Sequence, residues 1–255
     1  MAVERPLALV AQDTTKRESA MGERTTITGK DGGFSAYVAR PAADTAPAVV
    51  VIQEIFGVNQ VMRDITDGLA GQGFLAICPD LFWRIEPGID ITDKTQAEWK
   101  RAFELFNAFD VDKGVEDIAA TLKHIRKDAG CNGNAGAVGY CLGGQLAFLT
   151  ACRTDSDASI SYYGVGLEGR VGEVEKLTHP LLMHIAEEDQ FVPKPAQAII
   201  LAALKDDPQI ELYTYPGCDH AFAREGGEHY DAAAAKLANG RSLQFFERTL
   251  KGVQA

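Results

Sequence analysis

The sequence has no C-x-x-C pair, no run of lysines and arginines, and no apolar stretch long enough to span a membrane. Each absence removes a class of function. Cys78, Cys131, Cys141, Cys152 and Cys218 are scattered and odd in number, so neither a zinc site nor a complete disulfide framework is suggested. With no basic run to offset a formal charge of −11, nucleic acid and anionic membrane surfaces are unsuitable partners. A small anionic substrate stays possible, because a pocket with two arginines can be locally positive on an acidic protein. The apolar stretch from Pro6 to Ala11 is too brief for a signal-peptide core. These features together point to a reducing cytoplasm.

What the chain does contain is ordinary for a globular protein, with 46% apolar and 24% charged residues. Its 255 residues suit one large α/β domain or two small ones, so the pattern must decide. Thr25 to Thr28 and Phe34 to Ala39 alternate with period two around a glycine turn, which predicts an antiparallel hairpin at a sheet edge. Ala48 to Ile52 and Gly73 to Cys78 are continuous apolar runs of the kind buried on both faces of a parallel sheet. Ala135 to Gly139, Ala158 to Tyr163, Leu181 to Ala186 and Ile210 to Tyr215 continue the strand series. Helical periodicity marks Val115 to Asp128, Gln145 to Arg153, Ala196 to Lys205 and Ala232 to Leu250. Alternation from end to end predicts one doubly wound, mostly parallel α/β domain spanning residues 1–255, with no internal repeat. Trp83 to Asp112 interrupts the pattern with Pro87, Gly88 and many charges, and is expected to form a cap-like loop above the sheet.

Gly139, Tyr140, Cys141, Leu142 and Gly143 fit the nucleophile-elbow pattern G-x-nucleophile-x-G, with cysteine at the centre. A strand precedes the motif and an amphipathic helix follows, so a sharp turn would lift the sulfur clear of the sheet. The helix N-terminus favours a thiolate, the attacking form. A buried structural cysteine is the bland alternative for any single Cys, and it suits Cys78, Cys131, Cys152 and Cys218, which lack this context. Triads of this fold run nucleophile, acid, histidine, each after a strand. Glu187, Glu188 and Asp189 follow one predicted strand and His220 follows the next. Spacing leaves the acid open among the three. His220 outranks His124, His179, His184 and His229, none of which follows a late strand in this way. The fold supplies oxyanion donors after the first core strand and after the nucleophile, here the Ile55 and Leu142 backbone N–H groups.

Six ordered motifs, Gln53 to Asn59, Pro79 to Arg84, Gly139 to Gly144, Tyr162 to Gly166, Asp189 to Pro193 and His220 to Arg224, resemble those of the dienelactone hydrolases, or carboxymethylenebutenolidases. The resemblance covers nearly all of residues 25 to 250 and implies an α/β-hydrolase fold. It implies hydrolysis of dienelactone to maleylacetate in catechol breakdown, with no metal or organic cofactor. It selects Asp189 as the triad acid and places Glu54 beside the Cys141 thiol, activating it when substrate binds. It implies that Arg84 and Arg224 hold the substrate carboxylate, a role the planar guanidinium suits. Tyr162 and Tyr163 become pocket-wall residues. Ala221 departs from the pattern, since well-known members carry a serine after the histidine, and the lost hydroxyl bears on the exact substrate. The expected partner is a small lactone or ester, and the expected state is a monomer. Rival readings are a general carboxylesterase or thioesterase, a cysteine peptidase, and a non-catalytic hydrolase-like binding protein.

Overall fold

The sequence places no polar residue between Ala46 and Ile52, and in the computed structural model every side chain of this strand (β3, Ala46–Ile52) is buried. The structure describes residues 22–252, so the stretch Pro6 to Ala11 lies outside it. β3 is flanked in parallel by β4 (Leu75–Pro79) and β5 (Cys131–Tyr140). β6 (Ser159–Tyr162), β7 (Leu181–Ala186) and β8 (Ile210–Tyr215) extend the parallel sheet. On the other side β1 (Glu23–Thr28) and β2 (Gly33–Ala39) form the expected hairpin, β2 pairing antiparallel with β4. The order across the eight strands is β1-β2-β4-β3-β5-β6-β7-β8.

Helices α1 (Gln60–Gly71), α3 (Val111–Ile125), α4 (Leu142–Arg153), α5 (Lys194–Leu204) and α6 (Ala232–Leu250) make or follow the crossovers. Apolar residues from sheet and helices close one core, in which Ile52, Ile77, Phe148 and Phe246 are sealed from solvent. Truncating Ile52 to alanine at that position costs on the order of 2–5 kcal/mol through lost transfer energy and the cavity left behind.

The excursion from Trp83 to Asp112 differs from the expected loop, because it contains α2 (Gln96–Ala108). Thr95 accepts the Glu98 N–H at 3.2 Å, and the Glu98 carboxylate accepts from Thr92 and Thr95 in return, a reciprocal cap that starts the helix. Trp99, Phe103 and Phe106 stand at helical spacing toward the parent sheet's C-terminal edge, while Arg101 spends its charge on Glu86 and Glu104 outside. The charges in the sequence therefore decorate one face of a helix whose other face is aromatic.

Candidate active site

Cys141 sits at φ 58°, ψ −116°, between the last residue of β5 and the first of α4. Such a conformation is costly for a side-chain-bearing residue and persists only where its surroundings enforce it. Two glycines do so here. A Cβ at Gly139 would fall 1.8 Å from the Gly143 carbonyl oxygen, and one at Gly143 would fall 2.3 Å from the Ile52 carbonyl oxygen. The strand, the turn and the helix can approach this closely only without those side chains.

As the first residue of α4, Leu142 has an N–H with no acceptor inside its helix. Ile55, just beyond β3, lines the same cavity as Cys141, and its N–H has no backbone acceptor among the described residues. These amides are the available donors for an oxyanion. Gln53 braces the turn, its Oε1 accepting the Leu81 N–H at 3.0 Å.

Among the three acids after β7, Asp189 is the one that reaches the histidine. Its Oδ2 lies 2.9 Å from His220 Nδ1, and its Oδ1 accepts the Phe191 and Val192 N–H groups at 2.8 and 3.1 Å. Glu188 instead pairs with Lys194. Holding Nδ1–H on the carboxylate leaves Nε2 as the other ring nitrogen, buried beside the Cys141 sulfur with no nitrogen or oxygen partner. Tyr163 and Phe191 pack edge-on against the ring at 5.1 and 4.9 Å. Burial alone would strip the imidazole of its proton, but the charge of a Cys141 thiolate and the Asp189 carboxylate overcome it and push the His220 pKa up to about 10. The sulfur and the imidazole are thus coupled as an ion pair in waiting.

Cys141 and His220 open into a cavity of about 300 Å³, at the low end of the usual range for small-molecule sites. Phe56, Trp99, Phe103, Phe106 and Phe191 supply an aromatic wall. Arg224 brings the positive charge: its Nη1 is 3.3 Å from Glu54 Oε2 and its Nη2 3.5 Å from Asp93 Oδ2. Its guanidinium carbon lies 5.2 Å from the centre of the Phe56 ring. Buried polar side-chain atoms without partners are rare in folded proteins. Six occur among the described residues, and four of them, Glu54 Oε1, Glu168 Oε2, His220 Nε2 and Arg224 Nε, belong to residues lining this cavity. Their grouping marks this concave place as the candidate site among the described residues.

Two residues expected here stand elsewhere. Arg84 is paired with Asp117, which is almost fully buried and also accepts the Trp83 indole N–H at 2.9 Å; the remaining arm of Arg84 meets Asp31 at 3.0 Å. It pins the base of the excursion to α3 and does not line the cavity, because a carboxylate 33 positions away captures it first. Tyr162 lies behind the cavity, stacked on Tyr140 at 4.7 Å with its hydroxyl between Ser242 and Asn239 of α6. Tyr163 is intermediate in role. It walls in His220, and burial, reinforced by the nearby Glu54 charge, raises its phenol well above the ordinary range, so it stays neutral. Sequence reasoning missed the α2 aromatics, Asp93 and Glu168. The spacing of Trp99, Phe103 and Phe106 carried a usable helical signal, whereas Asp93 and Glu168 had none.

Comparisons with known proteins place the chain in one family. The sequence profile described as "Dienelactone hydrolase family" matches residues 34–250. The "Putative carboxymethylenebutenolidase" of Azospirillum brasilense is 56% identical over 231 residues, 87% of this chain and 96% of the relative. The carboxymethylenebutenolidase of Pseudomonas putida is 42% identical over 212 residues, 83% of this chain and 90% of the relative. Among solved structures, that of the "Putative Dienelactone Hydrolase" from Klebsiella pneumoniae subsp. pneumoniae MGH 78578 superposes with a TM-score of 0.79 at 28% identity, covering 89% of this chain and 98% of that one.

Proposed function

This chain belongs to the dienelactone hydrolase family of hydrolytic enzymes, and from that premise we propose that it opens a small carboxylate-bearing lactone or ester, dienelactone to maleylacetate being the leading case, through Cys141, His220 and Asp189. The observation that carries this reading is the open Nε2 of an Asp189-bound His220 beside Cys141, in a cavity whose positive charge is Arg224.

In the proposed course the substrate carboxylate docks on the Arg224 guanidinium, and the Glu54–Arg224 contact loosens. Glu54 is then a free carboxylate beside the thiol, able to draw its proton and help form the nucleophile. The Cys141 thiolate attacks the carbonyl carbon, and the developing oxyanion is met by the Leu142 and Ile55 amides, a kind of interaction worth about 3–4 kcal/mol per donor where measured. The ring C–O bond breaks, the electrons leave on an enolate oxygen, and a thioester remains on Cys141. That enolate is basic enough to take a proton from water, leaving hydroxide. The hydroxide adds to the thioester, the C–S bond breaks with the sulfur leaving as thiolate, and the free acid departs as Glu54 returns its proton to the sulfur.

One specific observation favours a second reading, a carboxylesterase or thioesterase for other small esters: Arg84 is committed elsewhere and Arg224 already faces two carboxylates. Ultraviolet-monitored hydrolysis of cis- and trans-dienelactone beside a panel of uncharged aryl esters separates them. Fast lactone turnover with a low KM supports the first. Turnover of uncharged esters alone would replace the substrate with that of the second.

A further inference from the structure

A buried carboxylate oxygen without a donor costs free energy unless something supplies the hydrogen bond. Two carboxylates line the cavity, and one of them, Glu54, faces Arg224 at 3.3 Å, while Asp93 meets the same guanidinium at 3.5 Å from outside the cavity lining. Glu168 is different. It stands on the 3-10 turn Leu167–Gly169 that follows β6 and lines the cavity with Cys141 and His220; the residue is half-buried, and its Oε2 is covered with no hydrogen-bond partner. The mechanism proposed above makes no use of it.

We infer that Glu168 is a specificity-determining residue that receives a hydrogen-bond donor, a hydroxyl or an amino group, carried by the substrate. The complement of the cavity is then a molecule with three parts: an acidic group for the Arg224 guanidinium, a flat apolar body for the Phe56, Trp99 and Phe103 wall, and a donor for Glu168 Oε2. Discrimination comes from the hydrogen bond gained. A substrate hydroxyl at that place satisfies Oε2, whereas a methyl group leaves it as unpartnered as it already is, so the hydroxylated ligand is favoured. Among carboxylate-bearing lactones, one that also carries a hydroxyl or amino group within reach of Glu168 is preferred over its unsubstituted relative.

The inference rests on this cavity being the active site proposed above, and its test is a binding measurement that needs no turnover. Titration calorimetry on the Cys141→Ala protein would compare 3- and 4-hydroxyphenylacetate with 3- and 4-methylphenylacetate, near-isosteric pairs that differ in the donor. At least one hydroxylated ligand is expected to bind about tenfold or more tightly than its methyl partner, a difference of about 1.4 kcal/mol. The ratio is expected to collapse toward one in Cys141→Ala/Glu168→Ala and to survive in part in Cys141→Ala/Glu168→Gln, which keeps an amide oxygen. A ratio near one in both pairs, or a ratio that persists in the Glu168→Ala background, overturns the assignment. Because the readout is a ratio within one protein, a general loss of binding cannot imitate it. Failure of the hydrolase reading would show separately, as lactone turnover that survives loss of the Cys141 thiol.

Discussion

His220 and His184 are both buried, at 4% and 1% exposure, yet the fold treats them in opposite ways. His184 lies on β7 behind the cavity with both ring nitrogens bonded, Nδ1 to the Tyr215 hydroxyl at 2.7 Å and Nε2 to Ser242 at 2.9 Å. Ser242 passes the network to Tyr162 at 2.6 Å, and Arg241 donates to Tyr215 at 3.1 Å. No carboxylate joins this chain of hydroxyls, and burial, then the Arg241 charge, drives the His184 pKa down to about 3. His220 has one nitrogen on Asp189, the other open, and a pKa pushed up to about 10. Burial is common to both, so it cannot be what singles out His220 as the candidate for catalysis. The sign of the neighbouring charge and an unfilled hydrogen-bonding site are what separate them.

The sharpest way to break this contrast is at the carboxylate. Asp189→Asn should cut kcat/KM for the lactone by on the order of 10³–10⁴, the scale of a triad held in the wrong tautomer, and the variant should still fold, since the Phe191 and Val192 amides keep an oxygen to bond. Next comes the anion site. Arg224→Gln should raise KM for a carboxylate-bearing substrate by about 10- to 100-fold, the worth of a charge-assisted contact, and much less for an uncharged ester. Arg84→Ala is expected to do the reverse, lowering Tm because Asp117 loses its cation inside the fold, while KM stays close to wild type. Equal effects of the two arginines on KM would contradict their separation into anion site and structural pin.

On the back face, His184→Leu should leave the Tyr215 and Ser242 hydroxyls short of a partner each and cost about 2–3 kcal/mol of stability, with lactone turnover retained. The pH dependence carries the same contrast. In the unfolded chain His184 takes up a proton near its ordinary 6.5, whereas in the fold it resists until about 3. Its contribution to stability is therefore present above pH 6.5 and is lost as pH falls toward 3, a limb that His184→Leu should flatten in acid unfolding curves. His220, raised from 6.5 to about 10, contributes stability below 6.5 that is lost as pH rises through 10. In NMR titrations its ring signals should move near pH 10, and near a lower value in Cys141→Ala, where one of the two negative neighbours is gone.

Much of this architecture is legible in the sequence because the relevant information is local. Unbroken apolar runs such as Ala48 to Ile52 identify central strands, and the strand, glycine and cysteine sequence around Cys141 specifies its own turn. Side-chain destinations are not local. Arg84 and Arg224 look equivalent along the chain, and only the fold brings Asp117 to the first and Glu54 and Asp93 to the second. Tyr162 and Tyr163 are neighbours that must face opposite ways on leaving β6, and the φ of 37° at Tyr163 helps turn it toward His220. In α2 the alternation of charge with aromatics hid a helix whose apolar side is useful only once a cavity lies beneath it.

The claim on which the account depends is that the Cys141 sulfur is the nucleophile. Dienelactone hydrolysis by folded Cys141→Ala, followed by ultraviolet absorbance against wild type at equal concentration, tests it directly. The account predicts wild-type turnover and a loss on the order of 10³ or more in the variant; lactone hydrolysis at an undiminished rate without the thiol would contradict it.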